Sequence, residues 1–298
     1  MDIALLGPLG ARIGQASVVP SAAKPRKVLA LLGLDCGRPV SVSILVDELW
    51  GDRPPRSAEA TLHTYVKQLR RLIAQALEPD APRRGAGNCA TSHDGPADKR
   101  QPIAARPAER LGPRDLLRRV PGGYLLDVPA ESTDAARFEH LATAGRQAIE
   151  KGVDDEGCAL LMRALRLWRG PVLADVEPGF VLRAEALRLE ELRMAALEER
   201  FDAELRLGRH RVVLGELASL ASRFPLHEAL HAQLILALHR SGRSWQALET
   251  FRALRRTLAD ELGLEPSSRL RELHEAVLRG DPALDSEGTW LPRPLAAR

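Results

Sequence analysis

The chain has few of the residues that staple a fold or carry it across a membrane. Its three cysteines, Cys36, Cys89 and Cys158, are far apart and form no C-x-x-C pair, which excludes a zinc ribbon and a disulfide framework. Aromatic residues are only 4% of the sequence, so Leu and Ala must carry the burial, and that favours helices over sandwiches. No apolar run approaches the roughly 18 residues a membrane-spanning helix needs. No basic stretch leads into an apolar one at the N-terminus, so no signal peptide is expected and the cytoplasm is the expected compartment. Neither G-x-x-x-x-G-K-S/T nor G-x-G-x-x-G occurs, so nucleotide binding has no motif support. No Ser/His/Asp set can be assembled from spacing, and no cofactor is expected.

What is present is unevenly charged. Residues 1–120 hold 19 Lys+Arg against 12 Asp+Glu, a balance of +7, and the remainder holds 24 against 28, a balance of −4. A basic half joined to a more acidic half points to one domain facing a polyanion and one facing something else. A length of 298 residues and 45% apolar content allow two domains, each with its own core.

The spacing predicts short antiparallel strands over 2–20, where Ile3, Leu5 and Leu9 alternate with Gly7-Pro8 and Gly10. A buried helix is predicted from Lys24 to Asp35, then a second, capped by Ser41 or Ser43, through Trp50. Gly51-Asp52-Arg53-Pro54-Pro55 must be a loop, because proline bars helix continuation. A third helix, with Ser57 as N-cap, is predicted to about Leu77; Leu62, Val66, Leu69 and Ile73 form one stripe. Its opposite face carries Ala60, Thr64, Lys67, Gln68 and Arg71 and no acid. Residues 78–113 lack apolar periodicity and read as a flexible insertion. Leu116–Val120 and Tyr124–Val128 flank Pro121-Gly122-Gly123 as a hairpin.

From Ser132 to about Arg279 the pattern is helical and repeats: Gly208-Arg209 recurs as Gly242-Arg243, a separation of 34. The same offset pairs Ala203 with Ala237, Leu214 with Leu248, Leu217 with Phe251, Leu220 with Leu254 and Phe224 with Leu258. A 34-residue period with Gly at the turn is the tetratricopeptide signature. The expected fold is therefore mainly α: an N-terminal OmpR-like winged helix-turn-helix (α+β) over 1–130, then an all-α tetratricopeptide-like repeat domain over 131–280, then a disordered tail over 281–298.

In such a fold a helix enters the major groove and its outer side chains reach base edges. Thr64 and Gln68 suit base reading, Gln by pairing with adenine, while Lys67, Arg70 and Arg71 suit phosphates. Arg118 and Arg119 on the hairpin suit the adjacent backbone. A second chemistry competes. His227-Glu228-Ala229-Leu230-His231 matches H-E-x-x-H, in which two helical His bind zinc and Glu acts as base. It lies inside the repeat, where Phe224, Leu230 and Leu234 make a packing stripe, and no downstream residue stands in a zincin-like context, although Glu249 and His274 are compatible with a third ligand by spacing alone.

The residues also resemble a known family, the Streptomyces antibiotic regulatory proteins, in their short form. The resemblance rests on Leu6-Gly7-Pro8-Leu9, Val46-Asp47-Glu48-Leu49-Trp50-Gly51, Thr64-Tyr65-Val66 with Leu69-Arg70-Arg71-Leu72, and Pro121-Gly122-Gly123-Tyr124-Leu125-Leu126. In the second half it rests on Asp134-Ala135-Ala136-Arg137-Phe138, Leu167-Trp168-Arg169-Gly170-Pro171, Arg240-Ser241-Gly242-Arg243 and Asp260-Glu261-Leu262-Gly263-Leu264-Glu265-Pro266.

The resemblance implies a non-enzymatic, nucleoid-associated activator that binds direct repeats in double-stranded promoter DNA, with the protein dimeric on DNA. It would recruit RNA polymerase holoenzyme, often at antibiotic gene clusters, and have no membrane partner. It maps DNA contacts onto Thr61, Thr64, Tyr65, Lys67, Gln68, Arg70, Arg71, Arg118 and Arg119, and a polymerase-facing loop onto Gly51, Asp52, Arg53 and Arg56. It implies an output domain without a receiver. Two features depart from the family pattern. Lys67-Gln68 replaces the Ser-Arg pair common after Tyr-Val, and the insertion at 78–113 is long. A ligand-gated repressor of the same fold is the alternative within binding proteins, and a zinc hydrolase is the alternative from another class.

Overall fold

A computed structural model describes residues 1–78 and 112–286. The flexible insertion expected at 78–113 lies almost wholly outside these residues, as does the tail after 286. The described chain forms two compact units that are not contiguous in sequence: Met1–Ala136 with Arg169–Leu187, and Arg137–Trp168 with Arg188 onward.

The first unit opens on an antiparallel sheet of β1 (Asp2–Ala4), β2 (Gly10–Ile13) and β3 (Ala16–Ser17), with Ile3 opposite Ala11 and Arg12 opposite Ser17. Helix α1 (Ala23–Leu34) follows; Pro25 sits in its first turn, where its missing N–H is no loss. From Val28 to Gly33 every residue of α1 is buried, so this helix is the centre of the core. Strand β4 (Pro39–Ser41) leads into α2 (Val42–Trp50), which Ser41 caps by accepting from the Ile44 N–H at 3.2 Å. Helix α3 (Ala58–Leu77) buries Leu62, Val66, Leu69 and Ile73, the predicted stripe.

Ser57 occupies the N-cap position of α3 but makes no side-chain cap, which corrects the expected capping. Its backbone is not extended, and its carbonyl instead accepts from both the Thr61 N–H and the Thr61 hydroxyl, each at 2.9 Å. A short helix α4 (Pro113–Leu116) runs into a hairpin of β5 (Leu117–Val120) and β6 (Gly123–Leu126), and β4 pairs with β6 to give the order β4-β6-β5. Gly123 permits that pairing: a Cβ there would stand 2.1 Å from the Val40 carbonyl oxygen.

Residues 169–187 complete this unit. The Arg169 and Leu173 N–H groups donate to Leu6 O and Leu5 O at 2.8 and 3.0 Å. Three carboxylates hold the arrangement. Asp134 accepts from the Leu5 and Leu6 N–H groups at 2.6 and 3.2 Å. Asp175 accepts from the Leu9 N–H at 2.7 Å and pairs with Arg26. Glu48 of α2, only 2% exposed, accepts from Gly179, Val181 and Leu182 at 2.5, 2.9 and 3.1 Å. The last two donors are free N–H groups at the start of helix α7 (Phe180–Arg206), where a negative charge is favoured.

The second unit is helical. Helix α5 (Asp134–Glu150) runs into it, followed by α6 (Asp154–Leu165), the rest of α7, α8 (His210–Arg223), α9 (Glu228–Arg240), α10 (Ser244–Leu262) and α11 (Ser268–Arg279). The repeat read from sequence is present in the backbone. Gly208 and Gly242 adopt φ of 71° and 75° and donate to Leu205 O and His239 O, partners again 34 apart. Ala203, Ala237 and Leu217 are fully buried, and Phe251 is buried with them. Helix α9 is buried from Leu230 to Leu238, because it packs on α8, α10 and α11.

Residues 281–286, the first part of the tail expected to be disordered, are folded. Pro282–Asp285 forms a 3-10 turn with Leu284 fully buried, and Arg240 donates to Leu284 O and Ser286 O, both at 2.6 Å. One large apolar residue, Leu284, between Pro282-Ala283 and Asp285 gives no periodicity by which to find such a dock.

Candidate nucleic-acid interface

Helix α3 and the β5–β6 hairpin stand in the order a winged helix requires, with α3's apolar stripe turned to the core. Ala60, Thr64, Lys67, Gln68 and Arg71 are all exposed, as the spacing predicts. Lys67, Gln68 and Arg71 make no side-chain bond to another described residue. The only acid on α3 is Glu59, in the first turn. A helix face that keeps its cations free of acids is suited to a polyanion.

Other predicted residues are already engaged. Thr61 is half-buried and bonded to the Ser57 carbonyl. Tyr65 stacks on Trp50, ring centroids 6.4 Å apart, and Lys24 lies 4.6 Å over the same indole. These contacts anchor the start of the loop carrying Gly51, Asp52, Arg53 and Arg56, all exposed. Arg70 donates from Nε to the Leu117 carbonyl at 3.0 Å, and Arg118 pairs with Asp127 at 2.9 Å. Arg119 is exposed beside α3.

Two residues of the interface had no assigned role in the sequence reading. His63 Nδ1 lies 3.0 Å from the hydroxyl of Tyr124, which is buried on β6. Val42, Glu59, Ala60, Leu62, His63, Arg119 and Tyr124 line one cleft between α3 and the wing. The i, i+7 relation of His63 and Arg70 is the signal that both face the wing. Burial pulls Arg70 below its ordinary range; Tyr124 opposes this, and the neighbouring Arg114 and Arg119 add to it.

The H-E-x-x-H segment has a different geometry from a zinc helix. His227 precedes α9 rather than lying on it, which corrects the expected helical placement. Its Nε2 faces Glu198 at 3.2 Å, and that carboxylate raises the His227 pKa. Glu228 accepts from the Ser267 N–H at 2.8 Å, and His231 is buried with Nδ1 3.1 Å from the His227 carbonyl. Among the described residues no group of three His, Cys, Asp or Glu is arranged to hold a metal.

Comparison with known proteins bears on these features together. Residues 16–84 match the family described as "Transcriptional regulatory protein, C terminal", and residues 133–278 match "Bacterial transcriptional activator domain". The chain is 48% identical over 292 residues to "Regulatory protein DnrI" of Streptomyces peucetius, covering 98% of this chain and 97% of that one. It belongs to the Streptomyces antibiotic regulatory protein family.

Members of this family also match at greater distance. "Transcriptional regulator RedD" of Streptomyces coelicolor is 33% identical, with 95% of this chain and 72% of that protein covered. The solved structure of "Mycobacterium tuberculosis EmbR in complex with low affinity phosphopeptide" superposes with a TM-score of 0.78 at 34% identity, over 95% of this chain and 68% of that one. The protein is thus a transcriptional regulator whose first domain is of the OmpR-type DNA-binding kind, with a helical second domain, and neither family description names a catalytic activity. Among the described residues no helix is long and apolar enough to cross a membrane.

Proposed function

We propose that this regulator is a pathway-specific activator of a secondary-metabolite gene cluster, dimeric on promoter direct repeats and acting by recruiting RNA polymerase. The observation that carries the DNA-reading part is the exposed polar face of α3, where Lys67, Gln68 and Arg71 bond no other described side chain, Thr64 donates its hydroxyl only to the Ala60 carbonyl at 3.1 Å, and the one acid of the helix, Glu59, is in the first turn. Gln68 can bond adenine through two atoms and Thr64 can touch a thymine methyl, while Lys67 and Arg71 meet phosphates. The exposed loop Asp52-Arg53 to Arg56 is the surface offered to polymerase. The tetratricopeptide-like unit adds a second protein-facing surface, the usual work of such repeats. DnrI and RedD are named as regulators in Streptomyces, and that origin supports the secondary-metabolite assignment.

The test is fluorescence anisotropy with promoter fragments from the genes beside this one, across a salt series. Wild type is compared with a Lys67→Ala/Gln68→Ala/Arg71→Ala variant. Specific binding that the variant loses supports the reading. Binding that is weak, blind to sequence and equal in both proteins removes α3 as the reader.

A further inference from the structure

We propose that His63 and Arg70 are positioning residues that lock α3 to the wing as one reading head, and that Arg119, not Arg118, is the wing side chain this lock sets against DNA. The inference rests on the DNA-reading assignment above and revises the role of Arg70 within it.

The two bonds lie two turns apart on one side of α3. His63 reaches the Tyr124 hydroxyl on β6, and Arg70 Nε reaches the Leu117 carbonyl on β5, each at 3.0 Å. The β4–β6 ladder already fixes β6 along one edge; the two side-chain bonds add a tie from α3 to each strand of the hairpin, and β5, which pairs only with β6, is held on its other side by the Arg70 bond. The cross-strand register then decides which arginine is carried where. Arg119 is opposite Tyr124, so both point to the same face, the one lining the cleft with His63. Arg118 is opposite Leu125 on the other face and is engaged with Asp127.

Arg70 also lies in the field of Arg114 and Arg119, a placement that like charges oppose unless something holds it. The Leu117 bond is the hold. An Arg at this position is therefore used for its directed Nε–H donor, and a Lys would keep the charge but lose that donor's geometry.

Two readouts separate the lock from the DNA reading. The first needs no DNA: amide hydrogen exchange over 113–127 in wild type, Arg70→Lys and Tyr124→Phe. Both variants are expected to exchange faster in the wing with α1 and α3 protection unchanged, which also shows that they fold. Wing exchange equal to wild type in both overturns the lock. The second is DNA affinity across salt for Arg70→Lys, Arg119→Ala and the double variant. Arg119→Ala is expected to lower the salt slope by about one. Arg70→Lys is expected to weaken binding about tenfold despite its retained charge, and the double variant to be little worse than either single. Full rescue by Arg70→Lys, or strictly additive losses, would make Arg70 an independent phosphate contact and overturn its positioning role. If no duplex binds wild type specifically while the wing still loosens in the variants, the DNA reading fails and the lock stands.

Discussion

In the first unit carboxylates join distant segments around the α1 core, and in the second a local pattern repeats. In the first, Asp134, Asp175 and Glu48 bond backbone N–H groups 129, 166 and 131 positions away. In the second, the same Gly turn and the same apolar positions recur after 34 residues, and the core builds up helix against neighbouring helix. A periodic core spreads its stability over many equivalent contacts, each replaceable in part. A carboxylate that satisfies several buried or half-buried N–H groups is harder to replace, because losing it strands those donors together, as Leu182 N–H, fully buried, would be stranded without Glu48.

The sharpest way to break this contrast is Glu48→Leu, which keeps bulk and removes the acceptor. It is expected to destabilise by about 3–5 kcal/mol in denaturant titrations, from three stranded donors. A cost under about 1 kcal/mol would mean the latch is incidental. In the second unit Leu217→Ala, at a fully buried repeat position, is expected to cost about 3 kcal/mol by cavity formation. Calorimetry should find that loss in the transition of the helical unit and not in that of the first. Gly123→Ala should cost about 2 kcal/mol, since the new Cβ pushes β6 off β4, and exchange at the Val40 and Ser41 amides should rise with it.

The smallest expected effect is electrostatic. Asp202 bonds Gln233 at 2.7 Å, and burial raises its carboxyl to about 6 from an unfolded 3.8. The folded protein then binds this proton more tightly than the unfolded chain, so stability falls as pH rises from about 4 through about 6. Asp202→Asn is expected to gain about 1–2 kcal/mol near pH 7.5, an advantage that vanishes on acidification to about pH 4. An advantage independent of pH would point to packing and not to charge.

The same contrast explains what the sequence made legible. The α3 stripe, the Ser41 cap, the hairpin and the 34-residue repeat all rest on periods or turn chemistry within a few residues, and local rules find them. Glu48 and Asp134 lay inside recognisable segments, yet nothing in spacing pairs Glu48 with Gly179 or Asp134 with Leu5. Nor could it show that residues 169–187 join the first unit. In the interface the exposed face of α3 was legible because it is the complement of an apolar stripe. The engagement of Thr61, Tyr65 and Arg70 was not, because each depends on a neighbour brought close only by the fold.

The measurement closest to the central claim is binding-site selection from a random duplex pool with the intact protein and with Gln68→Ala. The expected result is one enriched repeat for the wild type, with an adenine preference that Gln68→Ala loses at a single position per half-site. A wild type that enriches nothing, or a preference identical in both proteins, would contradict a reading head built on the free face of α3.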